Sequence, residues 1–293
     1  MDYFTIESLE NNNSITATKS GSNKSPVIYY STDGGETWSN QTLSSGTKSL
    51  GTINAGETII FKCEIDSWSS AWNGYNKLSG SKNFKVYGNA MSLLNGDNFA
   101  NNSEFASGST YNLCGLFYGT TTLTDANNLI LPAVTGNEGC YNGMFRGCTN
   151  LQYGPKELPA TAINDSSYSS MFEGCINLEE APVIWATTMS GAQAMQRMFC
   201  MDRSSKITTP KLTKGPILRA STQTTTCYKE MFKGNGNLVE VTNLSINRPG
   251  GSTENWLSNC SDTGTFYQHP DSPSWGRNAS GVPSGWTIQN ATV

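Results

Sequence analysis

Apolar and polar positions alternate with a period of two along residues 1–88, as in Tyr3-Phe4-Thr5-Ile6-Glu7, Val27-Ile28-Tyr29-Tyr30 and Thr58-Ile59-Ile60-Phe61-Lys62. Gly, Asn and Ser clusters separate these runs. Strands with one buried face between turn signals predict a small all-β, Ig-like sandwich. Beyond residue 110 the period changes. Phe117, Phe145, Phe172, Phe199 and Phe232 recur at intervals of 28, 27, 27 and 33 residues. Gly119, Gly147, Gly174 and Gly234 follow two places later, and Leu123, Leu151, Leu178 and Leu238 six places later. A fixed period of this length means stacked units, none of which can bury both of its faces alone.

Within a unit, Tyr168, Met171 and Phe172 stand at i, i+3 and i+4, the spacing of one face of a short helix. Glycine ends it, and an extended stretch such as Leu178-Glu179-Glu180-Ala181-Pro182 follows. The expected fold class is therefore α+β: the sandwich over 1–88, a solenoid of short helix plus strand units with its own N-terminal cap over 89–255, and a C-terminal cap over 256–293. Met91-Ser92-Leu93-Leu94 is expected to begin the N-terminal cap, and Trp256, Trp275 and Trp286 to pack in the C-terminal one. The fourth unit departs from the rule, with Met201 at the Gly position. The long connection from Ile207 to Thr225, with Lys206, Lys211, Lys214 and Arg219 around it, is expected to project as an irregular loop.

The units Y-x-x-M-F-x-G-C-x-x-L-x-x-x-P, with LPAT at 158–161, resemble the BspA-type leucine-rich repeat. YFTIESLE, VYGNAMSLLNGDNF, NLILPAV and the tail GTFYQHPDSPSWGRNASGVPSGWTIQNA extend the likeness end to end, to proteins of Bacteroidales (gut, crAss-like) phages and prophages. The resemblance implies a non-enzymatic virion surface protein, either a fibre, an appendage or a capsid-surface component. Its expected partners are other virion proteins and a host cell-surface glycan or protein, and a homo-oligomer stays open. A bacterial cell-surface adhesin and a purely architectural virion protein are the alternatives.

Composition narrows the classes. Only 14% of the 293 residues are charged, and the net charge is -4. Nucleic-acid binding is not expected, because it needs clustered Lys and Arg. No apolar run is long enough for membrane insertion, and MDYFTIESLE carries neither a basic nor an apolar export signal, which favours the virion protein that the resemblance implies, assembled in host cytoplasm, over a bacterial adhesin. Eight cysteines without a C-x-x-C pair give no metal or cofactor signature. Cys148 and Cys175 share a repeat position, as do Cys140 and Cys227; they read as small buried apolar groups, with a disulfide between adjacent turns as the alternative.

Candidate chemistry is sparse. Ser31-Thr32-Asp33-Gly34-Gly35-Glu36-Thr37-Trp38 fits the S-x-D-x-G-x-x-W pattern of the sialidase Asp-box. A sialidase would carry several copies and an arginine cluster, whereas here there is one copy and all six arginines lie outside it. The motif is read as a hairpin covered by Trp38. His269 is the single histidine, which leaves Ser-His-Asp and Cys-His catalysis one candidate base; no catalytic residue is assigned. Trp68, Trp72 and Tyr75 crowd into the polar loop DSWSSAWNGYNKLSGS, where flat rings could stack on sugar faces. Gln152, Tyr153, Glu179 and Glu180 form the candidate partner surface on the strand side of the repeats.

Overall fold

The computed structural model describes residues 2–292 apart from 22, 23, 70, 72, 73, 103, 107, 134–136 and 203. Eight strands form the N-terminal part: β1 (Phe4–Ser8), β2 (Asn13–Lys19), β3 (Val27–Ser31), β4 (Ser39–Thr42), β5 (Gly46–Ile53), β6 (Thr58–Lys62), β7 (Asn76–Gly80) and β8 (Phe84–Asn89). They make two antiparallel layers in the orders β4-β3-β6-β1-β8 and β5-β2-β7. The period of two does what it predicts: Phe4, Ile6, Ile15, Ala17, Ile59, Phe61 and Leu78 are buried in one core.

Position 88 falls inside a continuous sheet. Strand β9 (Leu123–Ile130) lies parallel to β8, with Tyr87 opposite Asn128 and Asn89 opposite Ile130. The other layer continues too, since Leu78 donates to the Leu116 carbonyl at 2.8 Å and Trp68 to that of Asn112 at 2.7 Å. The first turn of the solenoid thus grows on the open edges of β7 and β8. The expected cap at Met91 does something else: helix α1 (Ser92–Asn95) folds back on β6, where the Ser92 hydroxyl donates to the Phe61 carbonyl at 2.8 Å and accepts from the Phe4 amide at 2.9 Å.

The repeats form a β-solenoid of about five turns. Its short strands are β10 (Glu157–Leu158), β11 (Ala162–Ile163), β12 (Val183–Ile184), β13 (Thr188–Met189), β14 (Lys214–Leu218), β15 (Glu240–Asn243), β16 (Gly264–Gln268) and β17 (Trp286–Asn290), paired in parallel as β10-β12, β11-β13 and β14-β15-β16-β17. The expected helix in each unit is absent, and the chain is mostly β rather than α+β. Among the described residues only α1 and a 3₁₀ turn at Gly96–Asn101 are helical.

In place of the helix stands a ribbon of overlapping turns. Every fourth residue is left-handed: Gly139, Gly143 and Gly147 in one turn, Ser166, Ser170 and Gly174 in the next. A left-handed residue every fourth position ends any α-helix. Amides alternate between two partners. Met144 and Arg146 donate back three residues, to Tyr141 and Gly143, while Gly143, Phe145 and Gly147 donate across to Ser169, Met171 and Glu173 of the next turn at 2.8–2.9 Å. The glycines suit this backbone because they occupy the region at little steric penalty.

The phenylalanines stack as a column down the solenoid axis. Phe117, Phe145, Phe172, Phe199 and Phe232 are fully buried, with successive centroids 5.3–5.7 Å apart and planes within 11° of parallel. Phe4 and Phe84 of the sandwich meet its first ring. Trp256 meets the last, and Trp275 stacks on Trp256 at 5.3 Å. Trp256, Trp275 and Trp286 are all buried, as expected of closing residues.

The connection after Ile207 does not project as an irregular loop. It contains β14, where Lys214 pairs with Glu240 and Leu218 with Asn243, and Arg219 donates to the Ile184 carbonyl at 2.8 Å. Gly215-Pro216-Ile217-Leu218 keeps the solenoid's in-and-out alternation, so it takes a place in the wall.

All eight cysteines are buried thiols outside any disulfide. Those at the shared position bind one turn to the one before it. Cys148, Cys175 and Cys260 donate to the carbonyls of Phe117, Phe145 and Phe232 in the preceding turn, at 3.1, 3.1 and 3.2 Å. Burial pushes the Cys148 thiol up to about 12, so little thiolate exists near neutrality. Alkylation without reductant should label none of the eight in the native protein within minutes and all eight once it is denatured. A mass showing fewer than eight additions would reveal a disulfide.

Candidate functional site

The Asp-box folds as a hairpin between β3 and β4. The Asp33 carboxylate accepts from the Thr37 amide at 3.0 Å and from the Ser31 and Thr37 hydroxyls, while the Gly35 amide donates to Ser31 Oγ at 2.9 Å. Gly34 and Gly35 are left-handed, Trp38 lies against Gly35, and Lys62 Nζ sits 4.1 Å from the Trp38 ring. Hydrogen bonds from Ser31 and Thr37 hold the Asp33 carboxyl well below the usual carboxylate range. A depressed folded value means the turn's contribution is present above about pH 4, the unfolded carboxylate value, and is lost only as the pH falls through the lower folded one. Asp33→Ala is expected to raise amide exchange at Gly35 and Thr37 and to leave ligand binding unchanged. Unaltered exchange at both amides would contradict this account of the turn.

Of the three aromatic residues expected in a binding loop, one is misplaced. Trp68 is fully buried, and its indole N–H donates to the Asn76 carbonyl. A ring sealed beneath the first solenoid turn cannot meet a ligand. Trp72 lies outside the described residues. Tyr75 is half-buried and reaches the surface, its ring stacked on Tyr118 at 4.5 Å.

Tyr75 lines a cavity of about 540 Å³ on the turn ribbon. Side-chain size along the ribbon explains the hollow. The second turn lines it with Asn142 and Arg146, its Gly139 and Gly143 being buried, and the third turn lines it with Ser166, Ser169 and Ser170. The flanking turns present Tyr111 on one side and Gln193, Gln196 and Arg197 on the other. Small groups between large ones leave a groove.

Both tyrosines are seated by glycines. A Cβ at Gly115 would lie 1.9 Å from the Tyr75 ring, and one at Gly139 would lie 2.4 Å from that of Tyr111. The Tyr111 hydroxyl donates to Glu138 at 3.1 Å. Burial, first of all, raises both phenols to about 12, so the rings stay neutral at physiological pH.

Charge enters from two arginines. Arg146 lies 3.3 Å from Glu173 and 5.6 Å from the Tyr118 ring centroid. Arg197 donates through Nε to Glu230 at 2.6 Å, and Glu230 also receives Lys233 at 2.8 Å. Burial opposes ionisation of Glu230, yet the Lys233 and Arg197 hydrogen bonds prevail and its carboxyl sits below the ordinary value. Ser170 is only 8% exposed, lines the groove, and its hydroxyl makes no hydrogen bond among the described residues.

The second expected surface is assembled as a group. Glu179 donates its amide to Gln152 at 3.0 Å, Tyr153 bridges Glu180, and the Tyr153 hydroxyl donates to Glu179 at 3.1 Å. Lys211 adds an ion pair to Glu179 at 3.5 Å. Beside it the strand wall exposes Val183, Trp185 and Ile217, with the Arg219 guanidinium 5.1 Å from the Trp185 ring. His269 serves a turn, its Nδ1 accepting from the Asp271 amide at 3.1 Å.

Tyr111, Arg146, Ser170, Gln193, Gln196 and Arg197 escape a reading of the sequence alone. Gly139-x-x-x-Gly143-x-x-x-Gly147 is the available signal, because a four-residue glycine period identifies the turn ribbon and hence its outward positions. No family model matches the chain, and no curated protein or solved structure matches it either.

Proposed function

We propose that this chain is a non-enzymatic recognition protein that holds a saccharide in the groove on its turn ribbon. The observation that carries the reading is the groove itself, which sets neutral aromatic rings beside amide, hydroxyl and guanidinium donors over a floor of small residues. Rings of this kind pack on the apolar faces of sugars, and planar polar side chains pair with their hydroxyls. The preformed floor keeps the ordering penalty of binding low.

The finer identity belongs to the same proposal. The repeats and the N- and C-terminal segments resemble BspA-like proteins of Bacteroidales phages, and an Ig-like sandwich leading into such repeats suits a fibre, appendage or capsid-surface component that contacts host polysaccharide. A bacterial adhesin would use the same groove. Exposed Val183, Trp185 and Ile217 favour a second contact, with another virion protein or another copy of the chain, and this is the observation on the side of an architectural role.

The test is binding of the purified protein to host cells and to a glycan panel. Tyr111→Ala removes one ring wall and should weaken a panel hit about tenfold, or ~1.4 kcal/mol. Binding that survives Tyr111→Ala and Gly115→Ala together, with both variants folded, would remove the groove from the function.

A further inference from the structure

Resting on the saccharide reading, we infer that the groove selects an acidic sugar, with Arg197 receiving its carboxylate. The whole chain is acidic, with 23 Asp and Glu against 19 Lys and Arg. The two charged residues lining the groove are nevertheless both arginines, Arg146 and Arg197. Their carboxylate partners, Glu173 and Glu230, stand outside the lining.

Arg197 is equipped for a second anion. Its ion pair runs through Nε alone, which leaves the two terminal nitrogens without an acceptor among the described residues. A guanidinium edge matches a carboxylate with two parallel N–H bonds, whereas the neighbouring amides of Gln193 and Gln196 suit hydroxyls and acetamido groups. Glu230 retains Lys233 at 2.8 Å, so it is not left unpaired when Arg197 turns toward a ligand.

Ser170 adds a hydroxyl on the floor of the same groove. It is more than nine-tenths buried, held left-handed at φ 54°, and offers an unpartnered hydroxyl to the same cavity. Its oxygen opens on the groove, where water satisfies it and a ligand hydroxyl can take the water's place. The neutral tyrosines would flank the sugar ring, and no carboxylate in the lining would repel the acid.

Titration calorimetry with trigalacturonate and its carboxyl-reduced, neutral counterpart tests this, beside sialyllactose and lactose. Binding of at least one acid is expected, at least tenfold tighter than its neutral partner and weakening as salt rises. Arg197→Gln should abolish that preference while leaving the melting temperature within a few degrees, since Lys233 still neutralises Glu230. Ser170→Ala should weaken the acid and the neutral form together. Equal affinity for acid and neutral forms, or an acid affinity untouched by Arg197→Gln, overturns the acidic-sugar inference and leaves the saccharide reading standing. Failure of all four probes to bind, while the glycan panel gives hits only among neutral sugars, also overturns it. No hit in the panel at all overturns the saccharide reading as well.

Discussion

Phe172→Ala is expected to destabilise the protein by about 3–5 kcal/mol, because it deletes a fully buried ring from the middle of the stacked column. Its neighbours stand 5.3 Å away at Phe145 and 5.5 Å away at Phe199, with planes 8° and 3° from parallel. Two near-parallel aromatic contacts are lost along with the buried area. The turn cannot collapse into the space, since the inter-turn hydrogen bonds on both sides of residue 172 hold the backbone at its spacing. Phe172→Leu keeps most of the volume and should lose roughly 1–1.5 kcal/mol. Urea unfolding of the three proteins measures the series. A loss below about 1.5 kcal/mol for the alanine variant would mean that the hydrogen-bonded ribbon, rather than the column, holds the turns together.

Trp68→Ala is expected to cost a further large amount, about 3–5 kcal/mol for the cavity and up to roughly 1–3 more for the Asn76 carbonyl left without its donor. Asn76 is itself tied in, its side chain donating to the carbonyls of Trp68 and Lys24. The site lies where the sandwich meets the first solenoid turn, through the Trp68 amide to Asn112. Trp68→Phe fills most of the space and isolates the hydrogen bond, with an expected loss of about 1–3 kcal/mol. If Trp68 were a ligand contact, Trp68→Phe would weaken binding without changing the unfolding midpoint. The opposite pattern is expected, a lower midpoint with unchanged affinity.

The two variants mark two kinds of legibility. The period near 27 identifies the stacked turns, the register of the phenylalanine column and the buried shared cysteines, because stacking brings equivalent positions into contact. The sandwich is legible for the same reason, since alternation of period two describes a strand buried on one side. The helix expectation fails because Tyr168, Met171 and Phe172 satisfy helical spacing and turn-ribbon spacing alike. A left-handed residue at every fourth position separates the two, and glycine announces it at 139, 143 and 147, whereas around Phe172 those places are held by Ser166 and Ser170.

The site is less legible than the fold. Trp68 and Tyr75 lie seven residues apart in one polar loop, and composition gives both the same prospects. Packing sends one beneath the first turn and the other over Gly115. The groove draws on Tyr75 and on four successive turns, from Tyr111 to Arg197, so no short window of sequence contains it.

Sequence alone determined that this protein is a sandwich followed by stacked repeats with phenylalanine at one shared position, because burial patterns are local and periodic. Tertiary structure decided that the sandwich edge is the first wall of the solenoid and that a turn of three serines lies between larger residues. It also decided that two arginines line a groove on an acidic chain. These are relations between residues far apart along the chain, and they exist only once backbone hydrogen bonds have fixed which residue stands beside which.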